Sequence, residues 1–401
     1  MQLKKFKEIF DYARDNSKFY QDLYKKNGIM NLEIKSYKDI EKVPIVTKAM
    51  LREYKINDIV TCRIDKQINI HSTSGSTGEP FKIAYSKYED YISHVRLTRE
   101  IMKYGYNPFK KMVLISRYEP GHKFEIEEDM GIIKKLQKSY NLFPRVVISM
   151  FEPLGDIIKQ LKIIKPFVVW STPSFISLLA NKLEETKEKL NIPLLFLMAE
   201  TISPLQILMF KKYLCKDIID AYGCMESPSM GYSINSIDYK SILPNTTLTE
   251  VINYRSYNGN QVGDIIITNL QNKTMPFIRY DLGDYVGVLN EDSFPIKKIG
   301  RVQGRLDDIL IMEDGSTLSF HQTYHLFNDF HDVEQYKFIQ LKDKSIILQL
   351  KIKFGKNKKD VSKKATDIWS KYFPKTKIKV EFVDNFKIKK KTGKFKVIEK
   401  I

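Results

Sequence analysis

The chain has 401 residues, 43% of them hydrophobic, enough for a large core and more than one typical domain needs. Charged residues at 28% and aromatics at 12% exclude an intrinsically disordered chain. The net charge of +18, from 66 Lys and Arg against 48 Asp and Glu, invites a nucleic-acid reading, but no helix-turn-helix, zinc-finger or RNA-recognition motif accompanies it. That reading rests on charge alone, and an anionic substrate or cofactor uses such a field equally well. In chain order, "MQLKKFKEIFDYARD" has helical spacing and no apolar signal core, and the helical stretch runs to about Lys26. Pro44 then breaks "LEIKSYKDIEKVPIVTKAMLREY", and a short helix follows.

Residues 71–80, "HSTSGSTGEP", form neither a good helix nor a packed strand. From Lys111 the pattern alternates. "KMVLIS" (111–116), "RVVISM" (145–150), "PFVVW" (166–170), "PLLFLMA" (193–199) and "DIIDA" (217–221) read as short buried strands. "LGDIIKQLKIIK" and "SFISLLANKLEE" between them carry apolar residues at helical intervals. This βαβ series predicts an α/β fold with a largely parallel sheet covered by helices. After about residue 250 the strands crowd together and look antiparallel, as in "GDIIITNL" (263–270).

The last hundred or so residues predict a strand near 309–312, a helix near 319–328, strands in "YKFIQL" and "SIILQLKI", a helix near 359–372 and a strand in "KIKVEFV". That β-α-β-β-α-β order fits a small α+β cap domain. The boundary is placed near "GRLDDIL", giving domains 1–304 and 305–401. The longest greasy run, "IPLLFLMA" (192–199), is far short of the roughly 20 apolar residues of a membrane span. The 3 cysteines, Cys62, Cys215 and Cys224, are widely separated, which argues against a disulfide framework and a structural zinc site. A cytoplasmic protein is expected.

Several stretches could carry chemistry. In "HSTSGSTGEP", backbone N–H groups and hydroxyls can cradle a phosphate, but a surface linker has the same composition. It is not a Walker loop, because no Gly-Lys-Ser/Thr follows, and it is not a nucleophile elbow. "DAYGCMESP" (220–228) sets Tyr222 and Glu226 just after a predicted strand, where an aromatic can stack on a base and a carboxylate can hold Mg²⁺; a structural turn is the alternative. "RYDLGDYVG" (279–287) presents Asp281 and Asp284 around a glycine, as a ribose diol or a solvated β-turn would have it. "KKKTGKFKVI" (389–398) sets Lys394 after a glycine in a basic tail. "HQTYH" (321–325) approaches a zinc-protease motif, but Gln322 replaces the general base, so a helix-surface pair is favoured.

The order of these pieces resembles the adenylate-forming ligase superfamily, and within it the phenylacetate–CoA ligase family with its capsular-polysaccharide relatives. "SKFYQDLYKKNG" (17–28) and "IKSYKDIEKVPIVTKAMLR" (34–52) are similar to that family's N-terminal region, so the resemblance spans essentially the whole chain. It implies ATP- and Mg-dependent activation of a carboxylic acid to an acyl-adenylate, then transfer to CoA. An amide ligase acting on an amino sugar or amino acid is the runner-up, and a nucleotide-binding protein that has lost catalysis is the remote alternative.

Residue by residue, the resemblance makes Ser72, Thr73, Ser74, Gly75, Ser76, Thr77 and Gly78 a phosphate clasp. It sets Ala199, Glu200 and Thr201 beside adenine and the acyl pocket, and Ala221, Tyr222 and Gly223 at the adenine. Glu226 becomes the Mg²⁺ ligand. Asp284, with Arg305 nearby, takes the ribose. Asp307 is the hinge of a mobile cap, and Lys394 the catalytic lysine of adenylation. Trp170 and Pro173 belong to the loops around the substrate. In two places the chain departs from the family. Glu79 stands where relatives often have lysine, and "RYEPGHKFEIEED" (117–129) is charged where phenylacetate ligases carry glycine and small apolar residues. A polar or charged acyl substrate is therefore expected, with Arg117, His122 or Lys123 close to it. Partners are small molecules, without nucleic acid or a membrane span, and a homodimer is left open.

Overall fold

Helices α1 (Gln2–Asn16) and α2 (Lys18–Lys26) open the chain and bury Phe6, Phe10, Phe19, Tyr20 and Tyr24. Between them Ser17 has extended backbone, and its hydroxyl donates to the Ile59 carbonyl at 2.8 Å, which ends one helix and starts the next. Three one-turn helices follow, α3 (Tyr37–Ile40), α4 (Lys48–Arg52) and α5 (Ile56–Ile59). Thr47 caps α4, its Oγ1 accepting from the Met50 N–H at 3.3 Å. Strands β1 (Ile68–Ser72) and β2 (Lys82–Ser86) pair antiparallel, and Ser86 with Glu89 forms a capping box for α6 (Lys87–Met102). The computed structural model describes residues 1–72, 81–116, 140, 142–257, 260–289, 294–305, 309–313, 317–319, 332–353, 355–384, 386 and 397–401.

The alternating series folds as its periodicity predicts: β3 (Met112–Ser116), β4 (Arg145–Ser149), α7 (Leu154–Ile164), β5 (Val168–Ser171), α8 (Pro173–Thr186), β6 (Ile192–Leu197), α9 (Pro204–Tyr213) and β7 (Cys215–Cys224). Strands β3 to β7 pair in parallel. The chain then turns back through β8 (Ser227–Ile234) and β9 (Tyr239–Ile242), and β13 (Lys298–Gly300) adds to that edge. The result is an eight-stranded sheet in the order β13-β9-β8-β7-β6-β5-β3-β4.

Its central strands read as unbroken apolar runs because both faces are covered. Val113, Ile115, Val169, Leu195 and Ile218 pack on one side with α7 and α8 residues. Met112, Val168, Leu194, Phe196 and Ile219 pack on the other with Ile101 of α6. Each such side chain contributes roughly 1.5–3 kcal/mol by leaving water.

By contacts the chain divides into two units. The first is Met1–Ile252, Ile265–Leu282 and Val288–Arg301; the second is Asn253–Asp264, Gly283–Gly287 and Val302–Ile401. The strands β10 (Thr247–Tyr257), β11 (Asn260–Asn269), β12 (Tyr280–Gly287) and β14 (Val302–Arg305) make a sheet in the order β10-β11-β12-β14.

In the second unit, β15 (Ile309–Ile311) and β16 (Thr317–Ser319) form a short antiparallel pair. Strands β17 (Val333–Gln340) and β18 (Ile346–Ile352) form a hairpin, and α10 (Lys358–Tyr372) leads to β19 (Ile378–Phe382), parallel to β18. Strand β20 (Ile398–Lys400) lies parallel to β17, giving the order β19-β18-β17-β20. Phe338, Leu348, Leu350 and Trp369 fill this core, and Trp369 Nε1 donates to the Thr376 carbonyl at 2.8 Å. The α+β character is as expected, but the β-α-β-β-α-β order is not. The strand at Ile309–Ile311 pairs with β16 apart from the four-stranded sheet, whose remaining strand is β20 from the basic tail. The helix expected near 319–328 lies, beyond Ser319, outside the described residues.

Candidate active site

Parallel strands end on one edge of a sheet, and the turns that follow them gather side chains there. After β5 that edge carries Thr172–Ser174, after β6 Met198–Thr201, and β7 ends with Ala221–Cys224. Gly223 makes the last turn. A Cβ there would lie 2.2 Å from the Pro228 carbonyl oxygen, so only glycine lets β8 fold back this closely. The pairing register of β7 and β8 shifts between Tyr222 and Cys224, and Glu226 sits in the connection.

Glu226 is 5% exposed. Its Oε1 accepts from the Tyr280 hydroxyl at 3.2 Å and faces the Lys48 ammonium at 3.3 Å. Its carbonyl accepts from Asn269 Nδ2 at 2.8 Å, while the Tyr85 hydroxyl donates to the Met225 carbonyl at 2.9 Å. Both ends of this residue are therefore fixed. Among the described residues no hydrogen bond or ion pair reaches Oε2.

Lys48 comes from the N-terminal segment, and a buried clamp brings it there. The Val46 N–H donates to the Arg279 carbonyl and the Asp281 N–H to the Val46 carbonyl, both at 2.9 Å. Arg279 is buried with φ of 46°. Its guanidinium grips Glu250 at 3.0 and 2.7 Å and donates to the carbonyls of Glu41 at 2.9 Å and Val43 at 2.6 Å. Burial pushes the Glu250 carboxyl up, against the hydrogen bonds and charge of Arg279. Lys48, Tyr280 and Arg279 escaped the sequence reading as site residues. Their only signals were the Thr-Lys of "IVTKAMLR" and the Arg-Tyr ahead of Asp281.

Tyr222 is half-buried at the end of β7, opposite Gly231. Beneath it Asp220 and Lys240 form a buried ion pair, and the ammonium also donates to Ser233 Oγ at 3.1 Å. Burial drives the Asp220 carboxyl up and the Lys240 ammonium down. Ala199 is exposed with φ of 70°, a strained value for a residue with a Cβ, on the turn that follows β6. Glu200 accepts from the Ser174 N–H and hydroxyl, both at 2.9 Å, at the N-terminus of α8, tying the turns after β5 and β6 together. Thr201 is half-buried, and buried Pro173 begins α8. Trp170 stacks edge-on against Phe196 at 5.1 Å, and Phe196 in turn lines a cavity that reaches Tyr222.

Asp284 belongs to the second unit, and the backbone register sets it directly opposite Arg305. Ser72 ends β1, opposite Lys82. Just before it, His71 Nε2 and Asn69 Nδ2 each approach Asp90 of α6 at 3.0 Å, which anchors the approach to the glycine-serine stretch. Thr73 to Gly78, Glu79, Arg117, His122, Lys123, "HQTYH", Asp307 and Lys394 lie outside the described residues. Among the described residues no His, Cys, Asp and Glu side chains cluster as a metal site.

The sheet, the cap topology and this edge define the class: the chain has the fold of the adenylate-forming ligases. Over its full length it matches a 2-hydroxyisobutyryl-CoA ligase solved in the postadenylation state with 2-HIB-AMP, covering 89% of that chain at a TM-score of 0.75 and 19% identity. No family model matches the chain. Its homologues are CapK and phenylacetate-CoA ligases. Protein CapK of Staphylococcus aureus is 25% identical over 96% of this chain and 85% of its own length. The phenylacetate-coenzyme A ligase of Pseudomonas putida is 22% identical over 78% of this chain and 71% of its own.

Proposed function

We propose that the protein activates a carboxylic acid with ATP to an acyl-adenylate and passes the acyl group to CoA. One observation carries this reading. A buried carboxylate, Glu226, is fixed just past the carboxyl edge of the parallel sheet, in the connection that follows Tyr222, the aromatic at the strand end. Such an edge is where open α/β sheets bind nucleotides. The relatives named as phenylacetate-CoA ligases and the CoA-ligase fold support the same conclusion.

Glu226 suits a hard divalent cation, because it is an acceptor-only group with Oε2 left over. Mg²⁺ held there would neutralise triphosphate charge. Tyr280 orients the carboxylate, Asn269 holds the backbone carbonyl of the same residue, and Lys48 adds positive charge beside the carboxylate. Tyr222 stacks on adenine, Asp284 and Arg305 take the ribose, and Ser72 to Gly78 close on the phosphates. Lys394 serves adenylation. Attack of a carboxylate on the α-phosphate brings two anions together, and an ammonium at both lowers the barrier. Asp307 is the hinge through which the cap reorients between the two half-reactions. The protein acts in the cytoplasm; among the described residues no helix is long and apolar enough to cross a membrane.

Carboxylate-dependent ATP–pyrophosphate exchange tests this reading. Exchange should require an acid and Mg²⁺, and AMP release should then follow CoA. Exchange without any acid would refute the ligase assignment, and AMP release driven by an amino sugar in place of CoA would reassign the acceptor. Lys394→Ala should abolish exchange yet spare thioester formation from supplied acyl-adenylate; equal loss of both steps would contradict the two-conformation scheme.

A further inference from the structure

The contact between Lys48 and Glu226 bears on how a divalent cation reaches the site, and the inference rests on the reading just given. The groups fixed on Glu226 by hydrogen bonds are neutral: the Tyr280 phenol on Oε1 and the Asn269 amide on the backbone carbonyl. The Lys48 ammonium, 3.3 Å from the same Oε1, is the exception. Among the described residues Glu226 is the one polar partner of that ammonium, whose side chain is 28% exposed. Its Nζ also lies 5.5 Å over the ring of Phe81, the residue directly after the glycine-serine stretch.

The backbone holds this arrangement. Lys48 is the first residue of α4, which Thr47 caps, and Val46 bridges to Tyr280. Both groups that meet Oε1 are therefore carried by the two segments joined at that bridge. Carboxylate and ammonium together carry no net charge. A bare dication approaching the remaining oxygen meets an attraction already offset, with a positive charge close behind it. ATP brings its metal with an excess of negative charge, so the ammonium that opposes the bare cation attracts the metal–nucleotide complex. The two effects have opposite signs.

We propose that Lys48 sets the order of loading: it keeps the empty site from taking a free divalent cation and favours the cation that arrives on the phosphates of a nucleotide. Lys48 is here a positioning residue that acts through its charge on Glu226, with no proton transfer. Without it, the buried carboxylate would lack a counter-charge in the empty protein and would satisfy that need with stray metal.

The probes are Mn²⁺, followed by its electron paramagnetic resonance signal, and ATP in excess Mg²⁺, followed by calorimetry. In the nucleotide-free protein, Lys48→Met and Lys48→Gln should each bind Mn²⁺ about tenfold more tightly than the parent. The same variants should bind ATP more weakly, by about fivefold or more. Lys48→Arg keeps the charge and should stay near the parent in both measurements. Adding Glu226→Gln to Lys48→Gln should remove the gain in Mn²⁺ affinity, which locates the metal at this carboxylate. Damage to the fold would weaken both ligands together, so opposite shifts separate a role in loading from a structural one. Mn²⁺ binding that is unchanged or weaker in both charge-removing variants, ATP binding that is unchanged or tighter in them, a Lys48→Arg protein that matches Lys48→Met, or a gain that survives Glu226→Gln would each overturn the proposal. Opposite shifts in a protein that shows no acid-dependent exchange would uphold the role of Lys48 and defeat the ligase reading. Circular dichroism checks that each variant folds.

Discussion

At the scale of single residues the decisive contact is Lys48 with Glu226. A carboxylate that is 5% exposed needs a counter-charge, and the ammonium 3.3 Å away supplies it while lying 5.5 Å over the Phe81 ring. Lys48→Met leaves Glu226 with the Tyr280 hydrogen bond alone. The variant should lose about 1–2 kcal/mol in chemical denaturation, and Lys48→Arg should restore most of it. An unshifted midpoint in Lys48→Met would show that the pair contributes nothing. Tyr222 and Glu226 were legible because one short motif carries both, and Gly223 between them answers to a measurable close approach. Lys48 and Tyr280 were not, since they meet through a backbone bridge, Val46 to Tyr280, that no local pattern displays.

At the scale of elements, the strands from Met112 to Leu197 were legible for a physical reason. Burial on both faces forces continuous apolar runs, and the helices between them keep a helical apolar stripe. Strand β7 is longer than "DIIDA" suggested, running Cys215–Cys224, because its polar end pairs with β8 instead of filling a core. The tie between the N-terminal segment and β12 was illegible, because it rests on Arg279, a charge in the core. Breaking such a pair strands its partner, so Arg279→Met should cost about 3–5 kcal/mol. The double variant Arg279→Met with Glu250→Leu should recover part of that loss, since no unpaired charge remains. Denaturant melts of the four proteins would measure the coupling, and strict additivity would mean that the clamp holds by its carbonyl contacts alone.

At the scale of the whole molecule, the net charge of +18 makes acid a demanding condition, because protonating carboxylates adds to an existing excess of positive charge. Asp90 gives this a specific origin. Burial alone would push its carboxyl up, but hydrogen bonds from His71 and Asn69 outweigh it and hold it below the ordinary range. The unfolded chain therefore takes up this proton before the folded one does. Stability from Asp90 is fully present above the unfolded value and is lost as pH falls through the folded value. Unfolding free energy should fall between about pH 5 and about pH 3, with Asp90→Asn falling less steeply than the parent. At neutral pH that variant should be weaker by about 1 kcal/mol, because its hydrogen bonds from Asn69 and His71 lose their charge. Added salt screens the general repulsion but leaves the half-buried Asp90 contacts largely intact, so the difference in slope should persist at high ionic strength. Parallel curves for parent and variant across the acid range would show that Asp90 does not contribute to acid sensitivity. The contacts at stake hold β1 to α6 at the approach to the glycine-serine stretch. Under the proposed function, exchange activity in Asp90→Asn should therefore fall through a higher KM for ATP more than through kcat.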